Sequence, residues 1–374
     1  LRINKKIIMA RSKCVLCEDK IEKIHTINNI PSFMGVVESN TNIVKNDMVI
    51  GECLNCGLLQ NINLLDPDLI YLNNHNTQVV GDIWKNHYVE LSDFIKENSN
   101  GNVIFEIGDP SAKLAKKLKD NYKKWIIIEP NTDTKSFDNV EIIKGFFQGI
   151  NPTNYIVSTI VHSHVLEHMY EPVEFLKECN NILQDGGVTI FSIPNIKWLM
   201  NNKALPTGIL HFEHTYYINE DNIEYFLNKS GFELNEIKYY KNHSLFIKAT
   251  KKELSNINIT KSNNKDVFLD LVHYYDDKIK NINNKLLKKE YYLYSAHINS
   301  QYMINNGISN NIKALLDKSE SKIGKKLYGY DYDILSPDSI SNDESPIVLA
   351  SHMGVYYEEI KNNLLEINKN VIVL

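Results

Sequence analysis

Arginine is almost missing from this chain of 374 residues: Arg2 and Arg11 are its only guanidinium groups. Asp plus Glu number 46 against 41 for Lys plus Arg, which leaves a net charge of −5. Phosphate backbones bind dense cationic faces, so this balance argues against a nucleic-acid partner. No apolar run approaches the roughly 20 residues that cross a bilayer, so no membrane partner is expected. The first ten residues are basic and mildly apolar but lack the apolar core and cleavage site of an export signal. A cytoplasmic protein is therefore expected. The length suggests two or three domains, and 43% hydrophobic residues suffice for sizeable cores.

The stretch from Asn102 to Gly145 organises the rest. Val103-Ile104-Phe105-Glu106-Ile107-Gly108 reads as an apolar strand entering a glycine turn. A helical pattern with Leu114, Ala115 and Leu118 on one face follows, then a second strand, Trp125 to Ile128, ending at Glu129 and Pro130. The acid lies about 20 residues past the glycine, the spacing at which a carboxylate meets the ribose of a nucleotide-like ligand. The turn itself, Gly108-Asp109-Pro110-Ser111-Ala112, is unusual. Pro110 removes an N–H, and Ala112 stands at a place that favours positive φ, which alanine resists.

Strand and helix go on alternating. Val140–Ile143 and Tyr155–His162 read as strands three and four, a helix opens at Glu171-Pro172, and Val188–Ile193 reads as strand five. Phe232–Tyr240 and Leu245–Ala249 close the series as an antiparallel pair. This is an α/β fold with the shape of a class I, Rossmann-like methyltransferase domain. Ligands of such sheets bind beyond the carboxyl ends of the strands. Glu106, Gly108, Glu129, Pro130, Phe146 and His164 are therefore candidates for holding the cofactor, S-adenosyl-L-methionine.

Four of the five cysteines form two pairs, Cys14-x-x-Cys17 and Cys53-x-x-Cys56. Two turns, each with two thiolates, can close a tetrahedron around Zn²⁺, and four filled positions make such a site structural. Disulfides do not suit a cytoplasmic chain. Cys179, alone on a helical pattern, reads as a small core residue.

Cys53-Leu54-Asn55-Cys56-Gly57-Leu58, Val165-Leu166-Glu167-His168 and the run His211-Phe212-Glu213-His214-Thr215-Tyr216 give the chain a family likeness. It resembles the zinc-containing bacterial sugar C-methyltransferases, which methylate nucleotide-linked keto-deoxysugars. The resemblance implies a small-molecule acceptor, a sugar nucleotide, and His214 as general base, with Glu213 beside it and His168 across the cleft. His211 is a second candidate base. Glu213 is expected to supply negative charge that favours the imidazolium. O-methylation of a related sugar remains an alternative, as does a non-catalytic binding protein on an altered methyltransferase fold.

Residues 1–80 are expected to form a zinc-binding module, 81–255 the methyltransferase domain, and 256–374 a linker helix and a smaller Rossmann-like α/β domain. Asn256–Lys265 reads as a polar linker and Val267–Leu287 as an amphipathic helix. In the last segment Ser295 to Ser300 stands where a glycine-rich turn would be, although Asp317 sits about 20 residues beyond it.

Overall fold

A computed structural model describes residues 7–70, 82–147, 153–204, 209–253, 258–350 and 357–373. The polar run His75, Asn76 and Thr77 and the chain-breaking Pro206 and Gly208 lie outside the described residues.

The centre is a seven-stranded sheet. Its strands are β1 (Val103–Ile107), β2 (Lys124–Ile128), β3 (Val140–Ile143), β4 (Val157–Ser163), β5 (Leu183–Pro194), β6 (Phe232–Tyr240) and β7 (Ser244–Lys251). In space they run β6-β7-β5-β4-β1-β2-β3. β7 is antiparallel to both its neighbours, while β1 to β5 pair in parallel. This is the class I, Rossmann-like methyltransferase fold expected from the sequence. Side chains alternate across it, as a pleated strand requires. Phe105, Ile126, Ile128, Ile160 and Phe191 enter the core of one face. Ile104, Trp125, Ile127, Val161 and Ile190 enter the core of the other. Helix α1 (Asp82–Asn98) lies on the second face through Leu91, Phe94 and Ile95.

The N-terminal segment holds an antiparallel sheet of Ile21–Pro31, Lys45–Cys53 and Leu59–Asn61. The sequence reading missed its longest member, Ile21–Pro31. Its IEKIHTINNIP pattern buries only part of one face, so no clean alternation marks it. The C-terminal segment holds five parallel strands in the spatial order 334–335, 312–316, 291–294, 347–349 and 371–373.

The three segments share a core. A second long helix, α2 (Asn264–Leu286), presents Phe268, Leu271, Val272, Tyr275, Ile279 and Ile282 at helical spacing. They meet Ile27, Met48 and Ile50 from the N-terminal sheet and Leu293 and Leu315 from the C-terminal one. The expected linker is not a loose tether where it is described. Ser262 donates its backbone N–H to Cys56 O at 3.0 Å, and Asn264 Nδ2 donates to Gly57 O at 3.4 Å. Gly57 has φ +72°, and a Cβ there would stand 1.9 Å from Ser262 O, so only glycine permits this approach.

Candidate active site

The carboxyl ends of the strands form one edge. Gly108 N–H donates to Ile128 O at 3.0 Å, Glu129 N–H to Ile143 O at 3.1 Å and His164 N–H to Ser192 O at 3.0 Å, so the ends of β1, β2 and β4 lie level with those of their neighbours. Gly108 has φ +76°, and a Cβ there would meet Val165 Cγ2 at 2.8 Å and Glu129 Oε2 at 3.9 Å. The glycine lets Val165 pack closely on the turn, beside the Glu129 carboxylate. Glu129 is buried, which raises its pKa, and accepts the Asn131 N–H at 2.7 Å.

Ala112 takes φ 52° and ψ 44°, contrary to the expectation that alanine would avoid that region. The turn is held from both sides. Asp109 Oδ1 accepts the Ser111 N–H at 3.0 Å and Oδ2 accepts that of Lys113. Pro110 O accepts the Thr132 and Thr134 hydroxyls at 2.7 and 2.8 Å. Those bonds offset the cost of left-handed alanine, of order 1–3 kcal/mol.

Two of the residues expected at the cofactor are turned to other partners. Glu106 is fully buried, well above the usual carboxylate pKa, and accepts the Trp125 indole N–H at 2.7 Å. His164 has Nδ1 3.0 Å from Glu167 Oε1 and Nε2 3.0 Å from Ser244 Oγ, so both ring nitrogens are engaged within the protein. Pro130 is half-buried behind Glu129. Phe146 is 73% exposed past β3, while Phe147 turns inward against Phe105 and Phe175.

The imidazoles of the predicted catalytic run converge. His211 and His214 have ring centroids 4.2 Å apart, and His168 and His214 5.0 Å. His168 Nδ1 lies 3.1 Å from Glu213 O, which as an acceptor fixes the proton on Nδ1. His211, Glu213 and His214 are all buried. Glu213 departs from its expected role: burial pushes its pKa to about 8, so near neutrality it is mainly uncharged. The carboxylate facing these rings is Glu167, one ligand atom of which lies within 4.8 Å of those of His168 and His214. Burial raises the Glu167 pKa, and His168 and His214 oppose the rise. A small cavity beside this cluster is lined by Ile30, Ser32, His211, Glu213, Ile298 and Gln301, so all three segments border it.

The N-terminal sheet pairs with the segment that follows His214. Asn61 N–H donates to Thr215 O, and Tyr217 N–H to Leu59 O, both at 3.0 Å. Arg11, buried and lowered by that burial to about 10, donates to Thr215 O and, at 2.7 Å, to Tyr170 O. The sequence reading assigned no role to Arg11 or Glu167. The scarcity of arginine was the one available signal for Arg11.

The four paired cysteines lie together, with their sulfurs all within 4.8 Å of one another. Cys14 and Cys56 are 3.6 Å apart, Cys17 and Cys53 3.3 Å. Zn–S bonds of about 2.3 Å to the corners of a tetrahedron separate sulfurs by about 3.8 Å, so the cluster fits the ion. Backbone N–H groups of Leu16 and Cys56 point at Cys14 Sγ and Cys53 Sγ from 3.4 and 3.5 Å, as thiolates require.

Residues 84–237 match the family model described as a methyltransferase domain. A probable S-adenosylmethionine-dependent methyltransferase of Mycolicibacterium smegmatis is 27% identical over 100 residues, 27% of this chain. The chain spans only 38% of that relative's length. A putative S-adenosylmethionine-dependent methyltransferase from Listeria monocytogenes is 15% identical, covering 44% of this chain and 100% of its own, with a TM-score of 0.35. One from Bacillus halodurans, also a putative methyltransferase, is 13% identical over 45% of this chain and 99% of its own, with a TM-score of 0.36. Residues 84–237 are thus similar in sequence to methyltransferase domains.

Proposed function

We propose that this protein transfers a methyl group from S-adenosylmethionine to a small carbohydrate-type acceptor, and that the reaction is C-methylation of a nucleotide-linked keto-deoxysugar with His214 as general base. The observation that carries this reading is the convergence of His168, His211, His214 and Glu167 after β4 and β5, the acceptor side of the edge that holds Gly108 and Glu129. When bound, the cofactor supplies an electrophilic methyl group. Gly108 and Glu129 would hold its nucleoside part, with Pro130 and Phe146 bordering it. An imidazole that is neutral near pH 7 can take the proton next to a ketone, and Glu167 stabilises the imidazolium that forms. Glu213, uncharged, positions His168 through its own backbone carbonyl. A neutral carboxyl also suits contact with an acceptor oxygen as donor.

We also assign Cys14, Cys17, Cys53 and Cys56 a structural zinc, which would brace the strand that carries Leu59 and Asn61 against Thr215 and Tyr217. The boundaries near residues 80 and 255 remain our division of the chain. The C-terminal sheet we read as a wall of the acceptor cleft and not as an independent nucleotide site. Asp317, where a ribose would be met, is taken up by Ala296 N–H at 3.1 Å and Lys322 Nζ at 2.8 Å.

The test is methyl transfer from isotopically labelled S-adenosylmethionine to a panel of nucleotide-linked keto-sugars and their reduced, hydroxyl-bearing counterparts, with the labelled position read by carbon NMR. Label on carbon next to the ketone supports the reading. Label on oxygen moves it to O-methylation, and no transfer to any sugar overturns the acceptor class.

A further inference from the structure

Away from the catalytic run, His87 on α1, His164 after β4 and His243 at the β6–β7 turn come together. Their ring centroids form a nearly equilateral triangle with sides of 5.3, 5.7 and 5.7 Å. One nitrogen of each lies within 4.8 Å of the others. The indole of Trp84 stands 4.9 Å from His164, 4.5 Å from His243 and 5.1 Å from His87, which closes the fourth side.

His87 is the anomaly. It is fully buried, yet neither of its ring nitrogens has a hydrogen-bond partner. A buried polar group left unmatched costs of order 1–3 kcal/mol. His162 is also buried without partners, but it stacks on Phe191 at 4.6 Å and belongs to no cluster of ligand atoms among the described residues. His87 differs because two more imidazoles face it.

We infer that His87, His164 and His243 are the three protein ligands of a second metal ion, a divalent first-row ion such as zinc. Three imidazole nitrogens about 2.1 Å from one tetrahedral ion put their ring centroids about 5 Å apart, the spacing seen here to within small side-chain shifts. The same spacing leaves no room for an organic cation between the rings. The outer shell is already present. A metal-bound histidine characteristically donates its other N–H to a carboxylate, and His164 Nδ1 lies 3.0 Å from Glu167 Oε1. His164 Nε2 is then the ligand, taken over from the Ser244 hydroxyl, which keeps its 2.6 Å bond with His243 Nδ1. The Trp84 indole covers one side of the three ligands and leaves no room for a further ligand there. Glu167 also faces His168 and His214, so one carboxylate links this site to the imidazoles after β5. The inference rests on the histidine triangle alone and stands apart from the methyl-transfer reading.

The experiment counts metal. The full chain is expressed with excess zinc, desalted and analysed by atomic emission. Wild type should hold two zinc ions per chain. His87→Phe and His243→Asn should each hold one, as should Cys17→Ser. His243 lies on a hairpin turn, so His243→Asn tests the site even where a change at the buried His87 prevents folding. In cobalt-loaded protein the thiolate site gives intense sulfur-to-metal charge-transfer bands. The difference between wild type and His243→Asn should show only weak d–d bands. Equal zinc content in wild type and His243→Asn overturns the proposal.

Discussion

At the scale of single residues, burial decides which acid and which base can act. His214→Asn keeps size and a hydrogen bond but loses the basic nitrogen. It should lower turnover by about 10²-fold or more while leaving affinity for S-adenosylhomocysteine unchanged, as calorimetry would show. If His211→Asn is inactive and His214→Asn keeps a tenth of wild-type turnover, the base is His211. Glu213 gives a pH signature. Its folded pKa, about 8, lies above its unfolded value, so the native state holds the proton more tightly. That contribution to stability is complete below the unfolded pKa and is lost as pH rises towards 8. Glu213→Gln should flatten the decline of the urea midpoint between about pH 5 and 8. An unchanged slope would show that Glu213 is ionised in the folded protein.

At the scale of elements, two turns carry the predictions. Glu129→Ala should weaken S-adenosylhomocysteine binding by at least about 1.5 kcal/mol, the lower range for hydrogen bonds to a charged group. Gly108→Val should abolish it, because the added side chain meets Val165 and the backbone has φ +76°. Titration calorimetry separates these outcomes from misfolding when circular dichroism stays unchanged. The succession of strands was legible in the sequence because most central strands are short apolar runs between turns. Ile21–Pro31 was not, since a half-buried strand with lysine, histidine and asparagine lacks both period and composition. Ala112 was misjudged for a related reason. The bonds that hold its turn come from Asp109, one residue inside the turn, and from Thr132 and Thr134, beyond the next strand.

At the scale of the whole molecule, the N-terminal segment acts on the site through strand pairing. Cys17→Ser should abolish the thiolate-bound zinc and lower stability by several kcal/mol, since metal-binding energy is folding energy. It should also lower turnover more than cofactor affinity, because Leu59 and Asn61 hold the backbone of Thr215 and Tyr217. Equal losses in both would place the zinc at the cofactor side instead. Gly57→Ala tests the same coupling without touching a ligand. Its Cβ would displace Ser262, so the melting temperature should fall while zinc content stays at the wild-type level.

The sequence by itself determined the alternation that makes a class I sheet, the glycine turn, the acid that ends β2 and the two cysteine pairs. These are local facts, set by period, spacing and turn chemistry. Only the tertiary structure decided which acid meets the imidazoles. Glu213 and Glu167 read alike as acids beside histidines, and burial raises the pKa of both, yet it is Glu167 that is set against three imidazoles. The meeting of His87, His164 and His243 was equally invisible, because they lie on a helix, a strand end and a hairpin that only the sheet brings together. Desolvation and long-range proximity depend on the packed molecule, and no spacing along the chain encodes either.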